Sequence, residues 1–265
     1  MAGLEAIADK EYLGRMFIIG RDGSGENNVI VYAATGRSPP SRARLLREES
    51  DGSIKMHPSK DAPKDEGNPA LLFYNAIKQF DNTFVVSNGA QTDMVMPFVQ
   101  MWGSIHSALL GDAFSEPHLV KGSKGESIDL ASFEPDHPNY TPRITGVVNP
   151  QDAVAHIIRE QEGKPIQDLF DIPLKNGNGM MLATYSGKNV PKGVRIPSFV
   201  GDPVQVELVE NSAKDLAEHV YAALGPKSGP DIVTPGGDFR VSVAAVFYDL
   251  SSGKATTHIV NRHEE

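Results

Sequence analysis

The sequence predicts an α+β fold built largely of antiparallel sheet. Three observations carry that reading. Strand-like segments often follow one another without an intervening helix, and the regular βαβ alternation of a doubly wound parallel sheet is missing. Turn chemistry lies beside or between the strands: Asn27-Asn28, Asn88-Gly89, the run Asn176-Gly177-Asn178-Gly179, and Ser252-Gly253.

The strands are expected at residues 16–19, 29–34, 84–87, 143–148, 180–185, 204–209, 240–248 and 257–260, each an apolar or β-branched run of strand length. The first two flank Gly20-Arg21-Asp22-Gly23-Ser24-Gly25, which lacks dinucleotide-binding spacing and reads as a hairpin turn. Asn68-Pro69 puts a capping residue before proline at a first helical position, with Phe73, Ala76, Ile77 and Phe80 following at helical spacing. Asn149-Pro150 repeats the device ahead of Val154, Ile157 and Ile158. A third helix begins at Asn211 or Ser212, runs through Leu216, Ala217, Val220 and Leu224, and stops at Gly225-Pro226. Residues 94–110 read as a fourth, which requires Pro97 in its first turn. Residues 48–67 and 188–203 read as long loops inside one domain spanning residues 1–265.

Composition bounds the function. The chain has 265 residues, a formal net charge of −9 and no cysteine. Its length suffices for a large core. The acidic balance argues against a nucleic-acid surface, but leaves room for a local basic cleft. Without cysteine there are no disulfides, thiolate zinc sites or cysteine nucleophile. The N-terminus has no basic stretch leading into an apolar run, and no apolar run approaches the ~20 residues that span a bilayer. A cytoplasmic protein with no membrane partner is the expectation. The eight histidines are scattered, with no i, i+4 pair on a helix, so no metal site is indicated; His106 and His156 read as packed or surface residues. No Walker loop, nucleophile elbow or zincin motif occurs.

Four patches are chemically informative. In Thr35-Gly36-Arg37-Ser38-Pro39-Pro40-Ser41-Arg42-Ala43-Arg44 a strand exits into a loop with three arginines, suited to phosphate or otherwise a solvated basic turn. In the second, Tyr74 and Asn75 lie off the apolar face of the expected helix, toward a cleft, a boundary or solvent. The third, Ser87-Asn88-Gly89-Ala90-Gln91-Thr92-Asp93, ends a buried strand in a polar turn before a helix, either an anion-binding terminus or a simple cap. The fourth, residues 133–143, holds Glu134, Asp136 and His137 among three prolines, either a pre-positioned acid/base or a stiff connector.

Together and in order, these patches resemble the archaeal-type IMP cyclohydrolase family. The series is Glu11-Tyr12-Leu13-Gly14-Arg15, Gly20-Arg21, Gly36-Arg37-Ser38-Pro39-Pro40-Ser41-Arg42, Asn68-Pro69 with Tyr74-Asn75, Val86-Ser87-Asn88-Gly89 with Thr92-Asp93, and Thr141-Pro142-Arg143-Ile144. It covers roughly residues 12–148, with Thr184-Tyr185 a faint echo beyond. The resemblance implies a four-layer αββα sandwich similar to N-terminal-nucleophile hydrolases, without their nucleophile. It implies closure of 5-formamidoimidazole-4-carboxamide ribonucleotide to inosine monophosphate with loss of water, with neither metal nor cofactor.

The implied catalytic residues are Tyr74 as donor or relay, Glu134 as acid/base with Asp136 in reserve, and Arg37 for phosphate or oxyanion. The implied substrate contacts are Arg42, Asn75, Asn88, Gly89, Thr92 and Asp93, with Arg15 and Arg143 secondary. The expected partner is a small-molecule purine ribonucleotide, with a homo-oligomer left open. The chain departs from the resembled pattern at Ala33, where an arginine follows the tyrosine; either Arg21 or Arg37 takes its place or the activity is changed. A non-catalytic purine-nucleotide-binding protein and an amidohydrolase acting on a purine-like ribonucleotide are the alternatives.

Overall fold

The hairpin expected at the first glycine-rich turn forms. After a single helical turn, α1 (Glu5–Ala8), strands β1 (Arg15–Arg21) and β2 (Asn27–Thr35) pair antiparallel from Arg15↔Ala34 to Arg21↔Asn28. Asp22 holds the turn by accepting the Asn27 N–H at 3.0 Å and the Ser24 hydroxyl at 2.7 Å. The computed structural model describes residues 3–63, 67–102, 107–122 and 125–263.

Helix α2 (Pro39–Arg42), capped by Ser38, leads into β3 (Arg44–Glu48) and β4 (Ile54–Pro58). That antiparallel pair takes Glu48 and Ile54–Pro58 out of the expected 48–67 loop, of which 64–66 lie outside the described residues. The expected helix after Asn68 is also corrected. Asn68 caps as anticipated, accepting the Ala70 N–H at 3.1 Å, but α3 (Pro69–Leu72) is one turn long. The chain then extends into β5 (Asn75–Phe80), paired with β4 and with β6 (Thr83–Ser87). So short a helix has no intrinsic stability, and ladder pairing on both sides of β5 wins.

Helix α4 (Gln91–Trp102) starts three residues before the expected boundary and carries Pro97 as its seventh residue, past the first turn. This leaves the Asp93 carbonyl without an intrahelical donor. Residues 103–106, including His106, lie outside the described residues, and α5 (Ser107–Ala113) follows. A small hairpin, β7 (Leu119–Lys121) with β8 (Ser127–Asp129), precedes β9 (Arg143–Val148).

The helix expected after Asn149-Pro150 is a strand instead. The Asn149 side chain accepts from the N–H groups of Gln151 and Asp152, closing a turn between β9 and β10 (Ala153–Gln161). Ala155 and Ile157 face one core while Val154 and Ile158 face another, so burial on both sides erased the period-two signal. Then come β11 (Lys164–Asp171), β12 (Asn178–Ala183), β13 (Val204–Glu207), α6 (Ala213–Ala223), β14 (Arg240–Asp249) and β15 (Ala255–Asn261). Residues 188–203 carry no strand, only a bridge from Ser198 to Tyr185. Ser212 caps α6 by accepting the Asp215 N–H at 3.1 Å, as its sequence announces.

The result is α+β and, in its named strand pairs, antiparallel. One sheet runs β13-β12-β1-β2-β14-β15 and the other β11-β10-β9-β6-β5-β4-β3. Phe17 and Ile19 of β1 crowd Gly146 of β9, so the sheets pack face to face over a shared core. Helices α1 and α6 pack against elements of the first sheet, α4 and α5 against the second. Asn261 exchanges two hydrogen bonds with the Leu46 backbone, at 2.9 and 3.0 Å, tying β15 to β3. Among the described residues no helix is long and apolar enough to cross a membrane.

Candidate active site

A cleft of about 270 Å³ opens at one end of the two sheets. There the start of β1, the end of β2 and the residues after β12 meet the segments preceding β3 and β9. Three guanidinium residues (Arg15, Arg37, Arg44) and two carboxylates (Glu134, Asp136) line it, with Tyr12, Thr141 and Tyr185.

Arg15 is aimed by its backbone. Gly14 has φ +74°, and a Cβ there would lie 2.2 Å from Thr184 Oγ1 and 2.5 Å from the Tyr185 ring. Thr35 N–H and hydroxyl both reach the Gly14 carbonyl at 2.7 Å, and the Arg15 N–H donates to Thr184 Oγ1 at 3.1 Å. The side chain therefore enters between the sheets. Its guanidinium donates to the Asn88 carbonyl at 3.1 Å and to Glu134 Oε2 at 2.9 Å. Burial opposes this charge, but the Glu134 carboxylate, acting together with the nearby Tyr74 and Tyr32, holds the Arg15 pKa well above the ordinary value.

Glu134 lies between two buried arginines, since Arg143 Nη1 is 3.8 Å from its Oε1. Arg143 is itself fixed by the Ser132 carbonyl at 2.8 Å and Gln91 Oε1 at 3.2 Å, and burial pulls its pKa below the usual value. Glu134 Oε1 and Arg143 Nη2 are buried without a hydrogen-bond partner. Two residues on, Asp136 accepts the Thr141 N–H at 2.6 Å and its hydroxyl at 2.5 Å. Burial first, and then the charge of Glu134, push Asp136 up to about 6.

The aromatic wall is Tyr12 stacked on Tyr185, ring centroids 5.7 Å apart, with the Arg37 guanidinium 5.2 Å over Tyr12. Arg37 also donates to Asn189 Oδ1 and the Val190 carbonyl, each at 2.9 Å. Buried Glu11 anchors that region by accepting from Asn189, Val233 and Thr234. Arg44 donates to the Ser41 carbonyl at 2.9 Å, while Ser38 and Ser41 cap each other. A second hollow of about 750 Å³ adjoins the cleft, sharing Arg37, Ser38 and Asn139 and continuing along Val190, Pro191, Lys192 and Phe239.

Of the residues singled out from sequence, Arg15, Arg37, Glu134 and Asp136 thus meet in the cleft. Asn88, Gly89 and Arg143 stand behind it. Asn88 Oδ1 accepts the Ile144 N–H at 2.9 Å, and a Cβ on Gly89 would sit 2.8 Å from Arg143 Nη1. Thr92 is buried against the Ser87 hydroxyl. Tyr74, expected off a helix face, is buried within the intersheet core, its hydroxyl 2.7 Å from that of Tyr32. Asn75 points to the other side of β5, where its amide and Lys78 engage the Asp93 carboxylate at 2.9 and 3.0 Å. Arg42 donates to the Gly36 carbonyl and lies over Phe239, outside the residues that line the cleft. Arg21 is bound to Asn28 and the Pro150 carbonyl, six positions along β1 and so about 20 Å from Arg15. Sequence reasoning left Tyr12, Arg44, Thr141 and Tyr185 without roles. All four stood within or beside the quoted motifs, so a rule for which residue in a motif faces inward was the missing signal. Among the described residues no cluster of three His, Asp or Glu side chains forms a metal cage.

A concave site with an aromatic wall, several arginines and a partly buried carboxylate held up to about 6 defines an enzyme acting on a small anionic molecule. Residues 12–228 match the family described as IMP cyclohydrolase-like protein, and the chain belongs to that family. It is similar to the IMP cyclohydrolase of Methanocaldococcus jannaschii, 34% identical over 176 residues, covering 66% of this chain and 73% of that protein. It is also similar to those of Methanothrix thermoacetophila, 29% identical over 66% and 74% of the two chains, and Methanococcus aeolicus, 26% identical over the same shares.

Proposed function

We propose that this protein is an IMP cyclohydrolase, closing 5-formamidoimidazole-4-carboxamide ribonucleotide to inosine monophosphate with release of water. One observation carries the reading: every residue lining the arginine-rich cleft lies within the stretch, 12–228, that matches the family. The chemistry fits the cleft. A carboxamide nitrogen must attack a formyl carbon of the same molecule, so fixing one rotamer supplies much of the rate. The formyl oxygen gathers negative charge and leaves as water, which asks for cationic donors and a group able to carry a proton.

In this reading Arg37 and Arg44 take the phosphate, and the Tyr12–Tyr185 stack receives the imidazole. Arg15, its charge balanced by Glu134, faces the developing oxyanion. Asp136 exchanges protons, while Asn88, Gly89 and Arg143 hold Arg15 and Glu134 in position. Tyr74 supports the floor through Tyr32; Arg42, Asn75, Thr92 and Asp93 act on the fold rather than on substrate. We read the chain, residues 1–265, as one domain of four αββα layers similar to N-terminal-nucleophile hydrolases. The helices outside each sheet support that reading. The substrate partner is a purine ribonucleotide, and a cytoplasmic setting suits it.

The test is conversion of the formamido nucleotide to inosine monophosphate by the purified protein, followed by chromatography of the product. Folded protein that leaves the uncatalysed rate unchanged refutes the reading. Release of formate would identify an amidohydrolase, and a rise in melting temperature with inosine monophosphate but no turnover would identify a binding protein.

A further inference from the structure

Both ends of one hydrogen-bonded chain open onto the cleft. Asp136 Oδ2 is 2.5 Å from Thr141 Oγ1, which is 2.6 Å from the Tyr185 hydroxyl, and all three residues line the cavity. Their backbone setting is rigid: Asp136 Oδ1 accepts the Thr141 N–H at 2.6 Å, and the Glu134 N–H donates to the Thr141 carbonyl at 2.9 Å. An ionised Asp136 can only accept, so Thr141 then donates to it and Tyr185 donates to Thr141. Once Asp136 gains a proton, each link can reverse, and the tyrosine proton is free to leave into the cleft.

We propose that Asp136, Thr141 and Tyr185 form a proton relay that carries a proton from a substrate nitrogen to the departing substrate oxygen. The proposal rests on the ring-closure reading above. As the new C–N bond forms, the carboxamide nitrogen gives one proton to the Asp136 carboxylate. Asp136 passes a proton to Thr141 Oγ1, Thr141 passes its own to Tyr185, and Tyr185 delivers its own to the formyl oxygen, which becomes a hydroxyl. In a second pass the former formamide nitrogen loses its proton by the same route, the C–O bond breaks, and the hydroxyl leaves as water while the C=N bond closes. Each pass returns the relay to its starting state, so no proton is consumed.

The surroundings suit a carrier. Burial keeps the Tyr185 phenol above its ordinary range, so it acts as a hydroxyl and not as a phenolate. The charged groups acting on Asp136 are Glu134 on its own segment, Arg15 from β1 and Arg143 from β9. Asp136 and Tyr185 are the catalytic residues, and Thr141 links them.

The experiment compares turnover of the formamido nucleotide by wild type, Tyr185→Phe, Thr141→Val, Thr141→Ser and Asp136→Asn, each checked for folding by its thermal transition. Tyr185→Phe and Thr141→Val should each lower kcat roughly 100-fold with KM within about threefold. Thr141→Ser should restore turnover, and the double variant Tyr185→Phe/Thr141→Val should fall no further than either single one. Asp136→Asn, which cannot take the proton, should lose at least as much kcat as Tyr185→Phe, and its residual turnover should lack the acid limb that the wild-type kcat profile shows near pH 6. If Thr141→Val does not fold, Tyr185→Phe decides. A wild type that turns over while folded Tyr185→Phe keeps its kcat within threefold overturns the relay alone. A folded wild type without turnover overturns the ring-closure reading and the relay with it.

Discussion

Neutralising Glu134 tests the electrostatic frame of the cleft. Its carboxylate is 2.9 Å from Arg15 and 3.8 Å from Arg143, and the side chain is 4% exposed. At an effective dielectric near 20 these separations give gross attractions of about 6 and 4 kcal/mol. Desolvation of three charged groups offsets most of that gain. In Glu134→Gln the desolvation remains and the attraction goes, leaving two buried guanidiniums with no carboxylate between them. The expected loss is about 3–5 kcal/mol, or roughly 10 °C in melting temperature for a chain this size. Urea unfolding of wild type, Glu134→Gln, Arg15→Met and the double variant closes a thermodynamic cycle. The double variant should be more stable than the sum of the single losses predicts, because it removes the Arg15 charge together with its partner. A single-variant loss below about 1 kcal/mol, or simple additivity, would refute this account of the cleft.

His156 is fully buried against Phe114, its Nδ1 without a partner, and burial lowers its pKa from 6.5 to about 4. A base whose folded pKa lies below its unfolded one stabilises the fold above pH 6.5 and loses that contribution as the pH falls toward 4. About 2 kcal/mol should disappear between pH 7.5 and 5, and His156→Leu should flatten that limb in denaturant titrations. Gly14→Ala should lower the melting temperature sharply and abolish turnover, because its methyl would collide with Thr184 and Tyr185; a wild-type melting curve would contradict the packing described. Arg37→Ala should raise KM about tenfold, whereas Asn75→Ala should leave it within twofold, a contrast read directly from steady-state kinetics.

Elements whose signal is local were legible in the sequence. Ser212 with its cap and Gly225 as a stop fixed α6, and the Gly20–Gly25 turn fixed the first hairpin. Asn-Pro misled twice because the same dipeptide caps a helix or closes a turn, and only partners distant in sequence decide which. After Asn68 the ladder to β4 and β6 decides; after Asn149 the ladder to β9 does. The cleft was legible as a set of segments and only in part as a set of side chains. Arg37 and Arg42 share one loop, yet Arg37 crosses to Asn189, a contact 152 residues away, while Arg42 folds back on Gly36. Tyr74 and Asn75 are neighbours in sequence, but the chain entering β5 turns one toward Tyr32 and the other toward Asp93.

The same alternation bears on Ala33, the position where the resemblance leads one to expect arginine. In the β1–β2 register Phe17 pairs with Tyr32 and Met16 with Ala33. Phe17 crowds Gly146 of the opposite sheet and the Tyr32 hydroxyl meets Tyr74, so this face looks between the sheets. Ala33, one residue on, belongs to the other face. An extended strand that carries arginine there would direct it away from the cleft. Of the two expected replacements, Arg37 lines the cleft. Arg21, tied to Asn28 and Pro150 at the far end of β1, does not. The cationic side of the cleft comes instead from Arg15, whose inward face follows from Gly14, and from Arg37 and Arg44, which flank the capped turn at Ser38. Position 33 bears on the packing of β2 beneath its covering layer, on the face turned away from the arginines and carboxylates that line the cleft.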